Sequence, residues 1–287
     1  MTDITITIPQ VSDDSLVGVL RTLYATLANT SVQRQYHFDL RQVQRVHALL
    51  VLPLSAFMQR SGSTYDVDHL SEVGQYLQMM SFPHGIDSLP SLKQYGLSGK
   101  SYTPISVLRN TTAENEREKL QAQFEHMILQ VLQPAPGAAS AIYYPISELV
   151  TNIFDHSNSS VGYIFGQYYS TKNFLDLCIV DTGRGLAKTY LEEKGLDFSD
   201  EQAMQAALQG NSTKPSKERG FGLHTSKDIV CQALGGSFSL ISGSFAYIAE
   251  EQKDYSFSLP NFYWQGMIIA YRIPRPTQVI DITPFLE

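Results

Sequence analysis

The stretch that most limits what this chain can fold into is Ala141–Ser160, AIYYPISELVTNIFDHSNSS. On a helix turning about 100° per residue, Ile146, Leu149, Val150 and Ile153 fall on one apolar stripe. Glu148, Asn152 and Asp155 then gather within about 60° of one another on the opposite side. A surface helix usually mixes Lys with Glu there. This one presents two carboxylates and an amide, oxygens that suit a hydrated divalent cation. Taken alone, an amphipathic helix with a solvated polar face explains the pattern best. What overturns that reading lies downstream.

The chain has 287 residues, enough for one or two domains with a sizeable core. Its 43% hydrophobic and 17% charged residues are ordinary for a globular protein. A net charge of −7 argues against a general nucleic-acid binder, which needs a basic face. Cys178 and Cys231 sit in apolar runs without metal-ligand spacing and read as small buried hydrophobes in a reducing compartment. No run approaches the ~20 apolar residues of a membrane span, and the start MTDITITIPQ lacks signal-peptide architecture, so a cytoplasmic location is expected.

Along the chain, Ile4–Ile8 alternates Ile with Thr and suits a short strand. Asp13 or Asp14 is placed to cap a helix carrying Leu16, Leu20, Leu23 and Leu27. Gln35–Leu40 reads as a strand, Val46–Met58 as a mostly apolar helix with Pro53 in its first turns, Thr64–Val67 as a short strand and His69–Met80 as a helix. This is an α/β pattern. The run FDLRQVQRVHALLVLPLSAF resembles the middle of STAS domains, loosely and over about residues 4–80. Where bacterial anti-anti-sigma members carry a phosphorylatable Ser, this chain has Val46-His47-Ala48-Leu49. A generic α/β accessory domain explains the segment equally well. Phe82–Thr103, rich in Pro, Gly and Ser, reads as a linker or a packed irregular connection. Its Gly99-Lys100-Ser101 imitates a phosphate loop, but Gln94 stands where the first glycine belongs and no buried strand precedes it. His126, followed by Met127-Ile128-Leu129, is an ordinary residue of a helix running from a cap at Thr112 or Asn115 to about Leu132.

After the opening helix, strands Val161–Tyr169 and Phe174–Val180 lead into Asp181-Thr182-Gly183-Arg184-Gly185-Leu186. An Asp at a strand end can accept a hydrogen bond from an exocyclic amine such as adenine N6, and paired glycines allow close backbone approach. Lys188 occupies the third glycine position of a dinucleotide fingerprint and makes that alternative improbable. Short helices follow at Leu186–Glu193 and Glu201–Leu208. Next comes Gln209–Arg219, polar and interrupted by Gly and Pro in the manner of a lid. Gly220-Phe221-Gly222-Leu223 then opens the helix His224–Leu234, a turn suited to phosphates, with Lys214, Lys217 and Arg219 adding charge. Strands Ser237–Ile241, Phe245–Ala249 and Trp264–Ile273 close the pattern.

ELVTNIFDH, DTGRGL and RGFGL, in this order and spacing, resemble the N, G1 and G2 boxes of the GHKL superfamily. Gyrase B, the large heat-shock chaperone, histidine kinases and MutL belong to it. The resemblance spans about residues 112–274 and implies a Bergerat-fold α/β sandwich that binds ATP. It divides the chain into a STAS-like or other α/β accessory domain with a linker over 1–105 and the ATP-binding domain over 106–287. By resemblance, Glu148 is the general base, Asn152 the Mg²⁺ ligand and Asp181 the adenine-binding aspartate. Gly183 and Gly185 support the loop of Asp181. Gly220, Gly222 and Leu223, with Lys214 and Arg219, belong to the phosphate side. Asp155 takes the nucleotide-site position that is Asp in the gyrase-like ATPases, and His156 is peripheral. One departure stands out: many members open the last strand with Gly-Thr, whereas this chain has Gly266-Met267 and lacks the Thr.

These roles imply an ATP/ADP-binding regulatory ATPase whose nucleotide state controls a protein partner, of STAS-like or sigma-factor-like type. A homodimer is among the states the resemblance allows. Neither nucleic acid nor membrane is expected as a partner. A protein kinase acting on Ser or His, and a binding module without turnover, are the alternatives.

Overall fold

The computed structural model describes residues 4–96, 100–110, 116–156, 159–211, 222–250 and 253–286. The side chains of Glu116, Asp155 and His156 lie outside that description. The class is α/β, as the alternating pattern predicts, with one small parallel sheet and one large antiparallel sheet.

The first half builds the parallel sheet. Strands β1 (Ile4–Thr7), β2 (Tyr36–Asp39) and β3 (Thr64–Asp66) pair in that order, with Thr5 beside His37 and His37 beside Thr64. Helix α1 (Leu16–Leu27) connects the first two strands. Its cap is Ser15, whose Oγ accepts from the Gly18 N–H at 3.0 Å. Asp13 stands one step behind, accepting from the Ser15 N–H and O–H, so the acidic residues support the cap without supplying it.

Helix α2 (Ala48–Ser61) is apolar almost all round, the signature of a helix packed on every side. One side meets β2, with Phe57 lying 6.0 Å from Tyr36 and 5.9 Å from Phe38 between ring centroids. Another side lies on the second, larger sheet. Helix α3 (Glu72–Met79) starts at the Ser71 cap, later than its periodicity predicts. The connection after it is packed: it contains the short helix α4 (Leu89–Gln94), and Ile86 lies beside Ser106.

The large sheet has the order β4-β5-β6-β10-β7-β8-β9, all neighbours antiparallel. Its strands are β4 (Ser106–Arg109), β5 (Val161–Tyr169), β6 (Phe174–Asp181), β7 (Ser237–Gly243), β8 (Phe245–Glu250), β9 (Lys253–Ser258) and β10 (Trp264–Pro274). The sequence pattern misses β4 and β9, which are the two edges. One face receives α5 (Glu116–Leu132) and α6 (Ala139–His156), through Phe124, Ile128, Ile146, Leu149 and Ile153. The other face, carrying Phe165, Cys178, Val180, Ile268 and Ala270, joins one core with α1 and α2. The sheet therefore lies between two helical layers. The remaining helices, α7 (Leu186–Lys194), α8 (Asp200–Leu208) and α9 (Gly222–Asp228), follow β6; α9 continues into a π-helical turn over Ile229–Ala233. Among the described residues no helix is long and apolar enough to cross a membrane.

Candidate functional site

The apolar stripe of α6 is buried as its spacing requires: Ile146, Leu149, Val150 and Ile153 are each at most 2% exposed. That fixes the rotation of the helix and turns Glu148 and Asn152, both half-buried, toward the start of α9. Gly222 sits against them so closely that a Cβ built there would lie 2.5 Å from Glu148 Oε2 and 3.4 Å from Asn152 Nδ2. Two motifs separated by more than sixty positions thus meet at one point. Only a residue without a side chain lets the backbone come this near. Leu223, the next residue, packs partly buried against the core that α6 shares. Lys214, Arg219 and Gly220 lie outside the described residues.

Asp181 ends β6 with its side chain on the same face of the sheet as Ile179, toward α6. It is 1% exposed and held from three sides. The Gly183 N–H donates to Oδ1 at 2.8 Å, the Met267 N–H donates to Oδ2 at 3.1 Å, and the Trp264 indole N–H donates to the Asp181 carbonyl at 3.0 Å. Gly266 has φ +108°, and a Cβ there would lie 2.7 Å from Asp181 Oδ1. At the Gly-Met pair that departs from the family pattern, Gly266 leaves room for the carboxylate and the Met267 backbone N–H bonds it.

Ser242 completes the loop. Its Oγ accepts from the Leu186 N–H at 3.0 Å and donates to the Gly266 carbonyl at 2.9 Å, tying the first turn of α7 to β10. Gly185 caps α7 directly above it. Arg184 turns away onto α7, with Nη1 2.7 Å from Glu192 and Nη2 2.6 Å from Glu193. Ser242, Trp264 and His224 have no motif signal. The ring of His224 binds the Leu208 carbonyl through Nδ1 at 2.9 Å and reaches Asp228 at 3.3 Å, which fastens α9 to the end of α8.

The structure brings Glu148, Asn152, Gly222 and Leu223 to one place, and Asp181, Gly183 and Gly185 to the neighbouring loop. Burial raises the Tyr144 phenol, one turn before Glu148, and the Glu148 charge adds to that shift. Among the described residues no three His, Cys, Asp or Glu side chains group as a metal cage. A cation fits here only with one or two protein oxygens, its other positions being filled by water and phosphate, the usual habit of Mg²⁺. The Asn152 amide beside the Glu148 carboxylate is a donor set of that kind.

Neither a curated protein nor a solved structure matches the chain. Residues 137–261 match the family model of the histidine kinase-, DNA gyrase B- and HSP90-like ATPases, a span that takes in α6, the Asp181 loop and Gly222.

Proposed function

We propose that the half of the chain from β4 onward is an ATP-binding regulatory ATPase whose nucleotide state governs a protein partner. The observation that carries this reading is the convergence of Gly222 on Glu148 and Asn152. In it, Asp181 accepts a hydrogen bond from the adenine amine, and the Asn152 amide oxygen holds Mg²⁺. When bound, ATP with Mg²⁺ supplies the phosphoanhydride and neutralises its charge. Glu148 takes the proton of the attacking water, a role that needs a carboxylate within one hydrogen bond of it. Asp155 lies one turn beyond Asn152 on α6 and is read as part of the same nucleotide site. The Lys214–Arg219 segment, read as a lid, relays the presence of nucleotide to the partner.

The test is incubation with Mg-ATP labelled at the γ-phosphate, alone and with candidate partner proteins. Free phosphate is expected from the wild-type chain, falling about 10²–10⁴-fold in Glu148→Ala while nucleotide still binds. Asn152→Ala is expected to weaken Mg²⁺-dependent binding. Label transferred to a partner would make the chain a kinase, and binding without either product a ligand-gated module. A chain that binds no adenine nucleotide ends the reading.

A further inference from the structure

On the sheet face opposite Asp181, the seam between the two halves opens into two adjoining clefts. The larger, of about 360 Å³, is bounded by Arg45, Glu72, Tyr76, Gln167, Tyr169 and Lys172. The smaller, of about 290 Å³, shares Asp14, Gln44 and Arg45 with it and reaches His47. Each cleft has a buried polar group with no hydrogen-bond partner among the described residues: the Tyr76 hydroxyl in the larger, both ring nitrogens of His47 in the smaller. His47 is 2% exposed, and its Nε2 lies 3.4 Å from Asp14 Oδ1 without the alignment of a hydrogen bond. An unpaired buried donor or acceptor costs about 1–3 kcal/mol. Two such groups at one seam mark a place that something else completes.

The charges say what. Arg45 Nη1 lies 2.6 Å from Asp14 Oδ2, and the Lys172 ammonium lands on the same oxygen. One carboxylate serving two cations leaves most of their N–H donors without a partner among the described residues. Across the larger cleft, Glu72 is exposed and forms no ion pair with a described residue, and Tyr76 follows it by one turn of α3. The wall of the cleft thus carries both cationic and anionic side chains. Its volume is at the lower limit for small-molecule sites, about 300–1,000 Å³, too small for a nucleotide with its phosphates.

We propose that this cleft binds a free amino acid as its zwitterion. The ligand carboxylate accepts from Arg45 and Lys172. Its ammonium donates to Glu72 and to the Tyr76 hydroxyl oxygen. The site draws its walls from both halves of the chain, and it stands independently of the nucleotide reading.

The test titrates the full chain with the common amino acids one at a time, following heat and the thermal midpoint. Acetate, inorganic phosphate and methylammonium serve as single-charge probes. At least one amino acid is expected to bind and to raise the midpoint, with the single-charge probes binding far more weakly. Arg45→Gln and Glu72→Gln, both at outward-facing side chains, are each expected to weaken binding about tenfold or more. ATP binding by the two variants is expected to equal that of the wild-type chain. Failure of every amino acid at about 10 mM overturns the proposal. So does acetate or phosphate binding as tightly as the amino acid, or undiminished binding by both variants.

Discussion

Two residues show how little space the function leaves for change. At Gly222, alanine brings a methyl group to within 2.5 Å of Glu148 Oε2, so the carboxylate must swing aside. A displacement of about 1 Å at a reacting group costs on the order of 10²-fold in rate. Gly222→Ala is therefore expected to lower ATP turnover by about that factor with a nearly unchanged thermal midpoint; equal turnover would show that the contact is incidental. His47 behaves differently. Burial holds its imidazole below the ordinary 6.5, and the nearby Arg272 and Lys172 add to that, while Asp176 and Asp14 act against it. Above 6.5 both the folded and the unfolded chain hold it neutral. Below 6.5 the unfolded chain takes up the proton first, so stability falls with pH until the lowered folded value is passed, by at most about 1.4 kcal/mol per unit. Denaturation midpoints between pH 7 and pH 5 are expected to show this slope in the wild-type chain and a shallower one in His47→Gln.

At the scale of elements, α2 has the clearest energetic role. Leu52 is fully buried near the middle of a helix that two sheets share. Leu52→Ala is expected to cost about 2–5 kcal/mol, read as a lower urea midpoint; a loss under about 1 kcal/mol would mean the site collapses around the cavity. The same helix marks what the sequence made legible. Its mostly apolar character is visible there, and so are the stripe of α6 and the two glycine segments, because each is a local pattern with a fixed period or a backbone need. The partner of α2 was not visible, since apolar residues on every side state that a helix is covered but not by what. β4 and β9 escaped for a related reason: four residues of SVLR and the exposed KDYSFS carry no alternation strong enough to stand out. Ser242 and Trp264 hold the Asp181 loop from strands 56 and 83 positions away, a distance no local pattern spans.

For the whole molecule, the shared core has a direct experimental consequence. A fragment of residues 106–287 alone would present Phe165, Val180, Ile268 and Ala270 to water, together with their neighbours under α2. Such a fragment is expected to bind apolar dyes and self-associate, whereas the full chain unfolds in one cooperative transition. A monomeric fragment with full nucleotide affinity would show the halves to be autonomous. A hydrogen bond points the same way: Arg272 of β10, held by Asp176 of β6 through two bonds of 2.8 and 2.9 Å, reaches across to the Asp14 carbonyl at 2.6 Å.

Strand β6 gives this joining a further meaning. Side chains of a strand alternate between faces, and here Asp176, Cys178 and Val180 look toward α2 while Leu177, Ile179 and Asp181 look toward α6. Inserting or deleting one residue between Asp176 and Asp181 would bring both carboxylates to one face, so that either the ionic anchor or the loop carboxylate would turn to the wrong side. A cut of the chain between β3 and β5 would sever a packed interior, so a polypeptide nicked there is expected to stay associated until it unfolds.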